Sequence, residues 1–273
     1  MIELPKLNYQ DIVKQISNFL LYALENSKAE GFVVGVSGGI DSAVSATLAA
    51  KTVGSNVKAY ILPELGITPE EDIEDAKALC SKLGINYRII PINEIKEAYL
   101  SSLGKIENKK AIGNLSARIR MSILYYFANS NNSLVLGTGD KSEILIGYFT
   151  KYGDGGVDIL PIADLYKTQV RELGKFLGVD ERIVNKKSSP RLWAGHEAEV
   201  EIGISYEILD KILFGLVELE LSEEAIAKEL FIDVNIVKEI KERVKRNEHK
   251  RRGPIACQIG LKAIGSGYKL PAL

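Results

Sequence analysis

Cysteine is nearly absent: Cys80 and Cys257 stand far apart, and neither has a CxxC partner. That excludes a disulfide framework and a structural zinc site, and it fits a reducing compartment. An excess of one charge is missing too. With 35 basic and 36 acidic side chains the formal net charge is −1, so no global field draws the chain to nucleic acid or to an anionic membrane. No stretch approaches the ~20 apolar residues that cross a bilayer. Met1 to Gln15 carries Glu3, Lys6, Asp11 and Lys14 among its apolar residues, which is not a signal peptide. Internal repeats and low-complexity tracts are lacking as well. What remains is 273 residues of ordinary globular composition, 46% hydrophobic and 26% charged. A soluble, cytoplasmic protein is expected.

The apolar pattern changes character along the chain. Ile12, Ile16, Phe19, Leu20 and Ala23 share a stripe, which predicts an amphipathic helix over Ile12 to Glu25. Phe32 to Ser37 is a short run rich in β-branched residues, the mark of a strand buried on both faces. It ends at Gly38-Gly39 and passes into a small-residue helix over Ser42 to Val53. Val57 to Leu62, Tyr87 to Ile92 and Leu134 to Thr138 read as further strands, with a helix near Asn114 to Ala128. Thr68-Pro69-Glu70-Glu71 predicts a helix start with Thr68 capping and Glu71 closing a capping box, and Gly84 predicts its end. This alternation predicts an α/β fold, a doubly wound, Rossmann-like parallel sheet that binds ligands beyond the carboxyl ends of its strands. Beyond about Gly178 only helices are predicted, over Ser205 to Leu219, Ser222 to Leu230 and Asp233 to Asn247. Asn185 to Gly203 lacks periodicity and carries Pro190 and Gly195, so a mobile loop is expected there.

The most informative segment is Gly35-Val36-Ser37-Gly38-Gly39-Ile40-Asp41-Ser42. A strand ends, two glycines let the backbone turn, and a helix begins with its N–H groups free to bind an anion. Ser37 and Ser42 add hydroxyl donors. The GK[ST] ending of a Walker A loop is absent, and so is GxGxxG. A bare glycine pair is most often only a turn; flanking serines and an aspartate at this junction make it more than that. An aspartate beside phosphates repels them unless a cation intervenes, so Asp41 is expected to help hold Mg²⁺.

SGGxDS at a strand–helix junction resembles the pyrophosphate loop of the N-type ATP pyrophosphatases, which have an adenine nucleotide alpha hydrolase-like fold. Gly137 to Glu143 (GTGDKSE) and Gly147 to Asp158 (GYFTKYGDGGVD) are similar to NAD synthetases. So are Ala117 to Met121, Leu165 to Val170, Gly203 to Tyr206 and Glu248 to Arg251, in the same order. The resemblance implies an ammonia-dependent ligase forming a carbon–nitrogen bond. ATP would adenylate the nicotinate carboxylate of deamido-NAD (nicotinic acid adenine dinucleotide), and ammonia would displace AMP to give NAD, with pyrophosphate released. It implies that Gly35, Val36, Ser37, Gly38, Gly39, Ile40, Asp41 and Ser42 hold ATP, that Thr138, Lys167 and Ser189 contact it, and that Asp41 and Glu143 ligate magnesium. Arg118, Lys151, Asp158, His249 and Lys250 match positions that bind deamido-NAD. No covalent nucleophile is required; positioning and charge neutralisation carry the acceleration. A homodimer is implied, and a single domain over 1–273, with an α/β core over about 1–180 and a lid loop and helical part over about 181–273.

Several features also have plainer readings. Glu143 reads equally as a surface residue in the first turn of a helix, and Gly153 to Gly156 as a flexible turn. The basic run from Lys241 to Arg252 is mostly a solvated helix face, from which His249 and Lys250 stand apart as part of an EHK element. Trp193 reads as a packing anchor for its loop, and His196 has no assigned role. The length leaves no room for a fused glutaminase, so free ammonia, or ammonia from a separate glutaminase, is expected. A GMP-synthetase-like amidating enzyme is the nearest alternative. A tRNA-thiolating relative lacks the paired cysteines, and a non-catalytic nucleotide sensor would not need both Asp41 and Glu143.

Overall fold

The computed structural model describes residues 2–257 and 259, apart from 105 and 194. Four parallel strands form one sheet in the order β3-β2-β1-β4: β1 (Gly31–Gly35), β2 (Val57–Ile61), β3 (Asn86–Ile89) and β4 (Ser133–Leu136). The chain steps outward from β1 to β3, then returns to the other side of β1 as β4. Strand order therefore reverses between β1 and β4, and at such a switch point the loops leaving the two carboxyl ends part to form a crevice. The loops that diverge there begin at Val36 and at Gly137.

Both faces of the sheet are covered, which is why its strands read as continuous apolar runs. Phe32, Val34, Ala59 and Leu136 pack on one face with Ala43, Val44 and Leu48 of α2 (Ile40–Val53). Outside α2 lies α1 (Tyr9–Ser27), and α3 (Glu70–Leu83) covers β2 and β3. Val33, Tyr60 and Val135 point the other way, onto Ile119 and Ala128 of α5 (Lys109–Ser130), beside α4 (Asn93–Leu103). Alternate residues of one strand thus serve opposite layers.

After β4 the chain is helical: α6 (Lys141–Ile146), α7 (Lys167–Phe176), α8 (Glu181–Val184), α9 (Ala198–Ile202), α10 (Tyr206–Val217), α11 (Glu223–Leu230), α12 (Val234–Arg246) and α13 (Glu248–Arg251). Tyr206, Leu209, Leu213, Ile226, Val237 and Ile240 build a separate core that takes in Ile146 of α6 and Ile2. That core docks the C-terminal helices against the β4–α6 side of the sheet. α7 approaches α2 closely because Gly174 leaves room; a Cβ there would lie 2.6 Å from Ile40 Cδ1.

Three local expectations change. Thr68 does not cap α3: Pro69 is the N-cap residue, and the Thr68 hydroxyl accepts the Glu64 N–H at 3.0 Å instead. α9 forms inside the stretch expected to be a loop, because Ala198 and Ile202 bury themselves in the C-terminal core. Strand β3 ends at Ile89, short of Ile92. Gly84 does end α3 in the left-handed conformation, φ 65°. Tail residues 260–273 lie outside the described residues.

Candidate active site

The turn between β1 and α2 is held from within. Val36 N–H donates to the Tyr60 carbonyl at 2.9 Å, continuing the sheet one residue past β1. Gly38 then takes φ 80°, and a Cβ at that position would sit 2.2 Å from the Asp72 carbonyl oxygen of α3, so only glycine fits. Ser42 is buried and ties the turn together: its Oγ accepts the Ser37 N–H at 3.2 Å and donates to the Gly39 carbonyl at 2.9 Å. The serines that read as phosphate donors therefore shape the loop as well. Gly39, the N-cap of α2, has no side chain to satisfy the first helical N–H groups, which are left for a ligand.

Beside this turn lies a cluster of opposite charges. Lys167, the first residue of α7, is fully buried, and its Nζ lies 2.6 Å from Asp41 Oδ2, 2.8 Å from Asp140 Oδ2 and 2.8 Å from Glu143 Oε1. Asp41 opens α2, while Asp140 caps α6 by accepting the Glu143 N–H at 2.9 Å. Ser142 and Asp210 fix the start of α7: Ser142 Oγ accepts the Lys167 N–H at 2.9 Å, and Asp210 Oδ2 accepts the Thr168 N–H at 2.8 Å. Tyr206 closes the far side, its ring centroid 5.1 Å from Lys167 Nζ. One ammonium faces three carboxylates, a formal surplus of two negative charges.

The titration of these groups reflects that surplus. Burial pushes Glu143 up to about 7; Lys167 pulls against this and Asp41 adds to it. Burial likewise raises Asp140 well above its ordinary value, opposed by Lys167. Burial disfavours the charged form of Lys167, yet Asp140, Asp41 and Glu143 outweigh it and hold its pKa well above the usual value. The ligand atoms of Asp41, Asp140 and Glu143 all lie within 4.8 Å of one another, and Asp41 Oδ1 is buried without a hydrogen-bond partner. An all-oxygen donor set with an unsatisfied carboxylate oxygen fits a hard divalent cation such as Mg²⁺.

Asp41 and Glu143 line a cavity of about 990 Å³. Ser37, Gly39, Thr138, Arg118 and Lys151 also line it, as do the segment 186–193, His249 and Lys250. A family model described as NAD synthase matches residues 12–254, nearly all of the described chain. The chain belongs to the NAD synthase family.

Among curated relatives, the NH(3)-dependent NAD(+) synthetase of Thermococcus kodakarensis is 48% identical over 254 residues, covering 93% of this chain and 99% of that one. Among solved structures, the NMN synthetase from Francisella tularensis superposes with a TM-score of 0.83 at 37% identity, over 93% of this chain and 100% of that one. The NH3-dependent NAD synthetase from Campylobacter jejuni gives a TM-score of 0.80 at 33% identity, over 93% and 100%.

Within this NAD synthase fold the residues singled out from sequence fall into three groups. Those from Gly35 to Asp41 other than Gly38, with Thr138, Glu143, Arg118, Lys151, Ser189, His249 and Lys250, line the cavity. Lys167 stands behind Asp41 and Glu143, enclosed by the carboxylates that attract it, and Ser42 is buried in the turn. Asp158 lies beside β4, where its two oxygens accept the Val135 N–H at 2.7 Å and the Tyr125 hydroxyl at 3.0 Å. Ser189 gives its hydroxyl to the His196 carbonyl and accepts the Arg191 N–H at 3.2 Å, so it braces its own loop.

Lys250 donates to the Gly147 and Phe149 carbonyls, each at 2.7 Å, and Lys151 donates to the His249 carbonyl at 2.7 Å. The EHK element is thereby fastened to the 147–151 turn. Trp193 stacks on His196 with ring centroids 3.6 Å apart, as an anchor of its loop would. Sequence reasoning missed Asp140 and Lys186. The segment GTGDKSE offers Asp140 as an N-cap beside Thr138 and Ser142, a signal for its capping role alone; nothing local marks Lys186.

Proposed function

We propose that this chain joins ammonia to the nicotinate carboxylate of deamido-NAD at the cost of ATP, giving NAD, AMP and pyrophosphate through an acyl adenylate. The observation that carries this is the carboxylate cluster of Asp41, Asp140 and Glu143 at the mouth of the β1–α2 turn, beside a cavity that Arg118, Lys151, His249 and Lys250 also line. Its setting in a chain 48% identical to a protein named NH(3)-dependent NAD(+) synthetase supports the choice of substrate. The Gly39 N-cap and the α2 dipole receive the triphosphate. Asp41 and Glu143, with Asp140 behind them, hold Mg²⁺, which when bound neutralises the phosphates and the departing pyrophosphate. Lys167 keeps the two partly buried carboxylates in place. Arg118, Lys151, His249 and Lys250 take the dinucleotide, so that its carboxylate meets the α-phosphorus within the cavity. No side chain needs to attack; the turn and the basic wall bring two anions together and offset their repulsion.

Ile95, Tyr99 and Tyr126 leave an apolar strip exposed along α4 and α5, which supports a homodimer. The free thiols Cys80 and Cys257 support a reducing, cytoplasmic setting. Ammonia arrives free or from a separate glutaminase. Because one similar structure is named NMN synthetase, the deamido mononucleotide is the second acceptor to test. Purified protein given ATP, Mg²⁺, ammonium and deamido-NAD should yield NAD by mass spectrometry, faster than the mononucleotide yields its amide. Preference for the mononucleotide, turnover of xanthosine monophosphate, or use of glutamine by the pure chain would overturn the corresponding part.

A further inference from the structure

Between α8 and the segment that closes over the cavity, Lys186 reaches back across the molecule to the phosphate turn. Its Nζ lies 2.6 Å from Asp75 Oδ2, 2.8 Å from Asp72 Oδ1 and 3.2 Å from the Gly38 carbonyl oxygen. An ammonium has three hydrogens, and these three acceptors use all of them. Asp72 and Asp75 are only 4% and 2% exposed, so the two pairs are shielded from solvent screening.

We propose that Lys186 is a positioning residue for the phosphate turn: by holding the Gly38 carbonyl away from the cavity, it keeps the Gly39 N–H facing in. The proposal rests on the reading of the turn given above. In a trans peptide the carbonyl of one residue and the N–H of the next point in opposite directions, so fixing one fixes the other. Ser37, Gly39, Ile40 and Asp41 line the cavity and Gly38 does not, while Lys186 and Asp72 border the same cavity. The Gly39 N–H makes only a long bond of 3.4 Å to Ser37 Oγ, one it can exchange for a phosphate oxygen.

Two glycines leave this peptide free to rotate unless something holds it. Without Lys186 the Gly38 oxygen would lie beside two buried carboxylates, three acceptors with no shared donor. Rotation of the peptide relieves that contact and turns an oxygen toward the phosphates. Arg191 also pairs with Asp72, Nε to Oδ2 at 2.8 Å, so Lys186 is the contact that joins this salt-bridge cluster to the turn itself.

The test is Mg²⁺-pyrophosphate binding to the full-length protein, followed by calorimetry and by the Gly39 amide signal in ¹⁵N-labelled samples. Wild-type protein should bind and shift that amide. Lys186→Met should weaken binding about tenfold or more, the loss expected for one hydrogen bond involving a charged group. Its KM for ATP should rise while that for the dinucleotide stays put. Asp75→Asn, whose side chain does not line the cavity, should lose less in the same direction. A purely structural role would lower the melting temperature and leave the two KM values equal to wild type. Unchanged pyrophosphate affinity in Lys186→Met overturns the proposal alone; absence of the Gly39 response in wild-type protein overturns the reading of the turn and the proposal with it.

Discussion

Two buried lysines in this molecule keep very different company. Lys96 pairs with Glu64, whose second oxygen accepts the Ser116 hydroxyl at 2.8 Å, so both carboxylate oxygens are partnered, and the buried Arg120 guanidinium also attracts this carboxylate. Lys167 meets three carboxylates, and Asp41 Oδ1 beside it is buried without a partner. Only the second cluster opens onto the cavity, through Asp41 and Glu143. Burial of a lysine therefore says little about function. The diagnostic feature is the uncompensated negative charge around it, because a protein interior does not keep such a surplus unless a cation or protons balance it.

The sharpest way to break the comparison is to cut both clusters. Asp41→Asn should lower kcat by about 10³-fold while leaving the fold intact, as expected when a charge aimed at transferring phosphates loses its holder. Lys96→Met should do the reverse, costing ~3–5 kcal/mol of stability for a broken buried pair while the folded fraction keeps its kcat. Steady-state rates with thermal melts read both, and equal effects on either measure would erase the distinction.

A smaller effect comes from pH. The folded pKa of Glu143, about 7, lies above its ordinary 4.5, so the protonated acid is the form that folding favours. In metal-free protein the cost of ionising it grows as pH rises from about 4.5 to about 7 and is constant above that. Glu143→Gln should therefore melt higher than wild type at pH 8 in chelator, with the gap closing toward pH 5. A gap independent of pH would count against a charge surplus. Least dramatic should be Lys250→Ala on the cavity wall, where KM for the dinucleotide is expected to rise about tenfold and KM for ATP to change little. If only ATP saturation moved, the regions assigned to the two nucleotides would have been exchanged.

The division between the clusters also marks what a sequence can reveal. The β1–α2 turn was legible because its signals are local: a β-branched run, two glycines, and small residues where α2 packs. Asp41 and Glu143 were legible as chemical types within recognisable segments. Asp140 was not, because it caps α6 and faces Lys167 with different oxygens, and the first role is all that neighbouring residues disclose. The enclosure of Lys167 depends on the close approach of α7 to α2 at Gly174, and the reach of Lys186 spans 148 positions to Gly38. Both are products of tertiary packing. Asp158 adds a contact of the same kind: its carboxylate accepts the Val135 N–H of β4, 23 positions away, which its own segment does not disclose.

The most direct test of the charge-surplus account is manganese binding followed by electron paramagnetic resonance, in the presence of α,β-methylene ATP, for wild type, Asp41→Asn and Lys96→Met. The account predicts protein-bound Mn²⁺ in wild type and Lys96→Met and its loss in Asp41→Asn. Equal binding in all three would contradict it.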